Sequence, residues 1–167
     1  QTASAAASAC VLADLSHSAI IAVNGRDATS FLQNQLTHDV TQVLNHQSQL
    51  SGYCTPKGRL LCIFRVCSYQ GRLHLIFPRS LLDAVLTRLK KYVLMSKVEF
   101  ADLDASWAHM GIAGDEAGQL LQNTLSADPQ KENGCLTASE VLVIRLPGSP
   151  ARYELAGETA TMISLWE

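Results

Sequence analysis

The residues with the most chemical promise sit at Lys57-Gly58-Arg59, a glycine flanked by two cations and set between two largely apolar segments. A glycine there lets backbone approach a ligand closely, and the cations suit a carboxylate or a phosphate. The same tripeptide also reads as a plain hairpin tip with two solvated cations, and the local residues do not choose between the two. Arg88, Lys90, Lys91 and Lys97 form a second basic group. They suit phosphate or a polyglutamate tail, or equally the solvated face and last turn of a helix. Asp102 and Asp104 share a face in a strand and otherwise solvate a loop. His17, His38, His46, His74 and His109 are scattered, and His74 between Leu73 and Leu75 reads as a surface or half-buried side chain. No phosphate-binding glycine loop, nucleophile elbow or His-Glu-x-x-His motif is present.

The cysteines, Cys10, Cys54, Cys62, Cys67 and Cys135, are odd in number and form no Cys-x-x-Cys pair. Neither zinc nor a secreted disulfide framework is expected from that pattern. Buried thiols in a reducing compartment, the cytoplasm or an organelle like it, fit better.

Several elements must position these residues. Val11–Leu15 and Ala19–Val23 read as two adjacent strands with a turn at Ser16-His17-Ser18. Asn24-Gly25-Arg26-Asp27 carries helix-starting residues, and Phe31, Leu32, Gln35 and Leu36 recur on one face, which predicts an amphipathic helix over 26–37. Residues 49–54, 59–67 and 73–77 predict a three-strand meander, with Pro56 and Gly58 supplying turn chemistry. Ser80, with Asp83 three residues on, predicts the cap of a helix whose apolar stripe is Leu82, Val85, Leu86, Leu89 and Val93. Strands are predicted at 97–100, 107–113, 141–146 and more weakly 153–155, a helix from 114 through 122, a loop over 126–135, and a helix from Gly157 onward. Strands and helices alternate without a run of parallel βαβ units, so the fold class is α+β.

The 167 residues are 47% hydrophobic and 17% charged with a net charge of −2, an ordinary globular balance. That charge gives no whole-molecule reason to expect DNA or an acidic membrane as partner. No apolar run approaches the ~18 residues of a membrane span. Residues 1–9, small and polar, lack the basic and leucine-rich regions of a signal peptide and read as a flexible tail. The last residues stop within an amphipathic pattern, as a truncated polypeptide would.

Four segments in register resemble one family. These are Gly25-Arg26-Asp27-Ala28, Phe31-Leu32-Gln33-Asn34-Gln35-Leu36-Thr37-His38-Asp39-Val40, Tyr53-Cys54-Thr55-Pro56-Lys57-Gly58-Arg59-Leu60-Leu61, and Leu89-Lys90-Lys91-Tyr92-Val93-Leu94-Met95-Ser96-Lys97-Val98. They resemble the YgfZ-type folate-binding proteins, relatives of the glycine-cleavage T-protein (aminomethyltransferase), over about residues 11–167. The resemblance implies a cloverleaf of two intertwined, ferredoxin-like α+β domains with a C-terminal β-barrel beyond residue 167. It implies tetrahydrofolate as ligand, and a role in maintaining iron–sulfur enzymes, including those that modify tRNA. In that arrangement 10–48 and 106–167 form a first domain, and 49–105 a second one inserted into it.

The resemblance also implies site residues. The transferases follow their turn with a catalytic aspartate, and alignment on Lys57-Gly58 puts Cys62 there, with Ile63 after it. A thiol cannot replace a carboxylate base or stabilise a cationic iminium, so no catalytic residue is assigned and aminomethyl transfer is not expected. Leu50 and Cys62 match folate-contacting positions of the transferases, while Gln35, Lys57, Gly58, Arg59 and Tyr92 are ligand or domain-interface candidates from motif prominence. The Lys-Gly-Cys-x-x-Gly-Gln-type motif of the YgfZ branch is absent: Cys135 sits in Glu132-Asn133-Gly134-Cys135-Leu136. Two alternatives stay open, a folate-dependent aminomethyltransferase and a scaffold that has lost its ligand.

Overall fold

The computed structural model describes residues 10–166, so the expected tail over 1–9 lies outside the described residues. Two five-stranded antiparallel sheets organise the chain, one ordered β1-β7-β10-β9-β8 and the other β3-β4-β5-β2-β6. The first sheet comprises β1 (Val11–Asp14), β7 (Trp107–Ala113), β8 (Cys135–Ala138), β9 (Val141–Leu146) and β10 (Arg152–Glu158). The second comprises β2 (Ser18–Asn24), β3 (Gln49–Cys54), β4 (Leu60–Tyr69), β5 (Arg72–Pro78) and β6 (Glu99–Asp102).

Contacts divide the chain into two compact units, residues 17–105 and residues 10–16 with 106–166. The expected break after residue 48 therefore differs from the observed one after residue 16. The reason is β2, which pairs with both β5 and β6 and so belongs with the meander. Ala19, Ile20, Ile21, Ala22 and Val23 are all buried, as a central strand covered on both faces requires. The two segments read as adjacent strands, β1 and β2, belong to different sheets. β1 is exposed along its length and pairs instead with β7.

In the unit of residues 17–105, helix α1 (Ala28–Gln35) and helix α2 (Leu82–Val93) cover one face of the sheet. Phe31 and Leu32 of α1 and Val85 and Leu89 of α2 enter a core with Ile21, Val23, Phe64, Val66, Leu73 and Leu75. The predicted stripe of α2 packs this way, with Leu82, Leu86 and Val93 partly buried at its margins. Its predicted cap does not form: a 3-10 turn over Arg79–Leu81 precedes the helix, and Leu81 at its N-cap makes no side-chain cap. Arg79 Nη1 lies 2.6 Å from Asp104 Oδ2, and Asp104 Oδ1 accepts the Ile20 N–H, so Asp104 is a partnered structural group rather than a solvated one.

α1 is shorter than the predicted 26–37. The Asp27 carboxylate accepts the Lys97 backbone N–H at 2.8 Å instead of capping the helix. Leu36 turns extended and bridges to Tyr53. The following Thr-His-Asp-Val segment is similarly occupied with architecture. Thr37 Oγ1 accepts the Gly52 N–H, Ser51 Oγ accepts the His38 N–H, and Gln33 Oε1 accepts the Val40 N–H. Asp39 caps a 3-10 turn over Val40–Asn45 through Thr41, and those hydrogen bonds hold its carboxyl below its ordinary pKa.

The other unit packs α3 (Ala117–Leu125) and α4 (Thr159–Trp166) through Leu121, Leu125 and Met162 against Met110, Ile112, Val143 and Leu155. Strand β8 begins where a loop was predicted to end, and β10 is longer than predicted; both complete ladders with β9. Tyr153 donates to Asp128 Oδ1 at 2.8 Å, and burial with that carboxylate pushes its phenol up to about 12.

His74 gives the fold a pH dependence. It is buried, and its Nδ1 lies 3.0 Å from the Arg72 carbonyl, which requires Nδ1 to carry the proton and donate. Burial holds its pKa below the ordinary histidine value. The folded state then resists a proton that the unfolded chain accepts, so stability is full above the unfolded pKa of about 6.5 and falls as pH drops below it. Urea midpoints from pH 8 to 5 should show wild type losing ground to His74→Gln only below about pH 6.5, by at most ~1.4 kcal/mol per pH unit. A pH-independent difference would contradict a neutral buried ring.

Candidate functional site

The largest group of sequence-predicted residues gathers around the β3–β4 turn. Pro56 presets the turn, the Gly58 N–H donates to the Thr55 carbonyl at 2.9 Å, and the Arg59 N–H donates to Thr55 Oγ1 at 3.1 Å. Gly58 has φ +77°, where glycine is favoured, and a Cβ there would meet nothing within 4 Å. Lys57, Gly58 and Arg59 are all exposed. The turn thus satisfies the Gly58 and Arg59 N–H groups internally, which leaves the side-chain cations as its offer to an anion.

Beside this turn lies a cleft of about 370 Å³. Asn34 and Gln35 at the end of α1 form one wall, Tyr53 through Pro56 the second, and Arg88 and Tyr92 of α2 the third. Two of the predicted site residues, Gln35 and Tyr92, meet here. Arg88 and Tyr92 are four apart on a helix and so lie on one face. The Arg88 guanidinium carbon stands 5.7 Å from the Tyr92 ring centroid and 6.0 Å from that of Tyr53, at the outer limit of cation–π contact. Tyr53 is 2% exposed and stacks on Phe64 with centroids 6.0 Å apart. Burial pushes its phenol pKa up, and Arg88 draws it down through its charge and a side-chain hydrogen-bond contact, although neither the Tyr53 hydroxyl nor Arg88 Nε reaches a partner with good geometry.

Cys62 and Leu50 take other positions. Cys62 pairs directly with Tyr53 across β3 and β4, is 4% exposed and belongs to the core. Burial pushes its thiol up to about 11, so it is uncharged at neutral pH. Leu50 lies opposite Arg65 and is 53% exposed. Its neighbour Ser51 and Tyr53 are buried, so Leu50 projects from the other face of the sheet, as does Ile63. The site residues missed from sequence are Tyr53, Asn34 and, as a cleft residue, Arg88. The Arg88-x-x-x-Tyr92 spacing was the available signal. Among the described residues no group of three or more His, Cys, Asp or Glu side chains is placed to hold a metal, and no helix is long and apolar enough to cross a membrane.

Comparison with known proteins gives the fold a family. The chain is 32% identical over 139 residues to the tRNA-modifying protein YgfZ of Hamiltonella defensa subsp. Acyrthosiphon pisum (strain 5AT), covering 83% of this chain and 41% of that protein. It is 33% identical over 143 residues to the tRNA-modifying protein YgfZ of Enterobacter sp. (strain 638), covering 86% of this chain and 44% of that protein. The chain therefore spans less than half the length of these curated relatives. In structure it is similar to the glycine cleavage system aminomethyltransferase T from Bartonella henselae, with a TM-score of 0.84 at 19% identity over 96% of this chain and 45% of that one. At that identity the likeness is one of fold. The GCVT N-terminal domain model matches residues 1–159, nearly the whole length, and the chain belongs to that family.

Proposed function

We propose that this chain takes part in a tetrahydrofolate-binding accessory protein that supports iron–sulfur enzymes, and through them tRNA modification, in the cytoplasm. It performs no aminomethyl transfer of its own. The observation carrying this reading is the neutral thiol of Cys62, with its pKa pushed up to about 11, where the resembling transferases carry an aspartate. A protonated thiol packed in an apolar core neither takes a proton at neutral pH nor stabilises a developing cation. A folate-type fold without that carboxylate is suited to holding the ligand rather than to turning it over. The relatives named as tRNA-modifying support the context.

In this reading Gln35 and Tyr92 in the cleft, Lys57, Gly58 and Arg59 in the turn, and Leu50 on the opposite, exposed sheet face take ligand or domain-interface roles. Cys62 stands behind them as the uncharged replacement. Calorimetric titration of the full-length protein with tetrahydrofolate should give saturable heat at micromolar ligand, and glycine-cleavage turnover should be absent. No heat at high micromolar ligand would sink the binding claim, and turnover would sink the claim that the protein is not a transferase.

A further inference from the structure

Two residues lining the cleft between α1, α2 and the β3–β4 turn, Tyr53 and Arg88, approach each other, yet the buried Tyr53 hydroxyl and Arg88 Nε reach no partner with good hydrogen-bond geometry. A buried donor left unpaired costs about 1–3 kcal/mol, and the Arg88–Tyr53 approach is too poor in geometry to satisfy both groups, which leaves room for an outside acceptor. Both are donors: the phenol O–H, kept protonated by its raised pKa, and the guanidinium N–H. Arg88 is the one charged side chain lining the cleft, and no carboxylate lines it among the described residues. The Arg88 carbon stands 6.0 Å from the Tyr53 ring centroid, a loose approach. The cleft's volume of about 370 Å³ holds a small molecule.

We propose that this cleft is a binding site for a small ligand bearing an oxyanion, a carboxylate or a phosphate, which accepts from Arg88 Nε–H and from the Tyr53 hydroxyl together. An arginine engaged through Nε and a terminal nitrogen presents two parallel N–H groups matched to two oxygens of such a group. The amides of Asn34 and Gln35, each with donors and an acceptor, face the uncharged remainder of the ligand, and the Tyr92 ring, 41% exposed, gives it an apolar wall. The cleft is the one from which Gln35 and Tyr92 face folate in the reading above, but the oxyanion site stands on Arg88 and Tyr53, which that reading does not use, so either can fail alone.

The test follows the Arg88 Nε–H resonance of the ¹⁵N-labelled full chain by NMR during titration. One arm uses γ-glutamylglutamate as the carboxylate source, a second inorganic phosphate, and a third sodium chloride at matched ionic strength. A saturable shift in either of the first two arms, absent with chloride, is expected by about 10 mM probe, and the responding arm names the source. Tyr53→Phe should weaken that binding about tenfold with the rest of the spectrum unchanged, and Arg88→Lys, which keeps the charge but loses the fork, should remove saturation. No saturable shift with either probe, or equal affinity in wild type and Tyr53→Phe, overturns the proposal. Neither probe carries a pterin, so this failure leaves the folate reading standing, and a failed tetrahydrofolate titration leaves this site standing.

Discussion

Gly25→Ala is expected to destabilise the chain by about 3–5 kcal/mol in urea unfolding, near the upper end for a single substitution. Gly25 has φ +108°, a conformation that a residue with a Cβ adopts only under strain. An added Cβ would lie 2.0 Å from the Lys97 carbonyl oxygen, 2.8 Å from its carbon and 3.2 Å from Val98 Cα. All three are backbone atoms, so no rotamer change relieves the clash. The chain must move where the 94–98 segment feeds β6, and Val98 there is a core residue. Asp27 fixes the same approach from the other side, its carboxylate accepting the Lys97 N–H at 2.8 Å. Gly58→Ala is the natural comparison. Its φ is +77° but its surroundings are open, so it loses only the backbone preference, about 1 kcal/mol. Equal losses at the two glycines would show that strain, and not the Lys97 contact, sets the cost. The Gly-Arg-Asp motif is on this account an architectural clamp.

Cys62→Asp, which restores the group the transferases carry, is expected to lower stability by about 3–5 kcal/mol at pH 7 and to confer no aminomethyl transfer. Cys62 is 4% exposed, packed with Tyr53 and Phe64, and its own thiol is already pushed up to about 11 by burial. A carboxylate in the same place loses its hydration with no cation shown beside it, so it resists ionisation and its folded pKa rises above the ordinary value of about 3.9. The sign follows from that: relative to wild type the variant fares best below about pH 4, where both states are protonated, and loses ground as pH rises through the folded pKa. Urea unfolding between pH 4 and 7.5 should therefore show the penalty growing with pH, while Cys62→Ala costs about 1 kcal/mol without that slope. A Cys62→Asp penalty, measured against wild type, as small at pH 7 as at pH 4, or a variant that turns over aminomethyl substrate, would mean that the transferase environment survives around position 62.

Much of the local structure was legible because it depends on neighbours in sequence. The meander follows from short, largely apolar runs bounded by the turn residues Pro56-Gly58 and Gln70-Gly71, and α2 follows from an apolar stripe at helical spacing. Where tertiary partners competed for the same groups, local reading failed. Ser80 and Asp83 look like a cap in sequence, but the chain enters α2 through a 3-10 turn, with Arg79 paired to Asp104 twenty-five positions away. Asp27 looks like a helix starter, but its carboxylate is committed to Lys97.

The sequence by itself determined the α+β class, the hairpin carrying Lys57, Gly58 and Arg59, the motifs that mark the family, and the thiol at position 62. Each of these is carried by residue type at short spacing. Only the tertiary structure decided that β2 leaves β1 and sits between β5 and β6, since alternating or continuous burial says how a strand is covered but not which strands flank it. It alone decided that Leu50 and Cys62 face opposite sides of the sheet, because that depends on the register linking β3 to β4. It alone assembled the cleft, whose walls come from α1, the β3–β4 turn and α2. The poorly satisfied Tyr53 hydroxyl and Arg88 Nε are properties of what surrounds those residues, and those surroundings exist only once three separated segments have packed together.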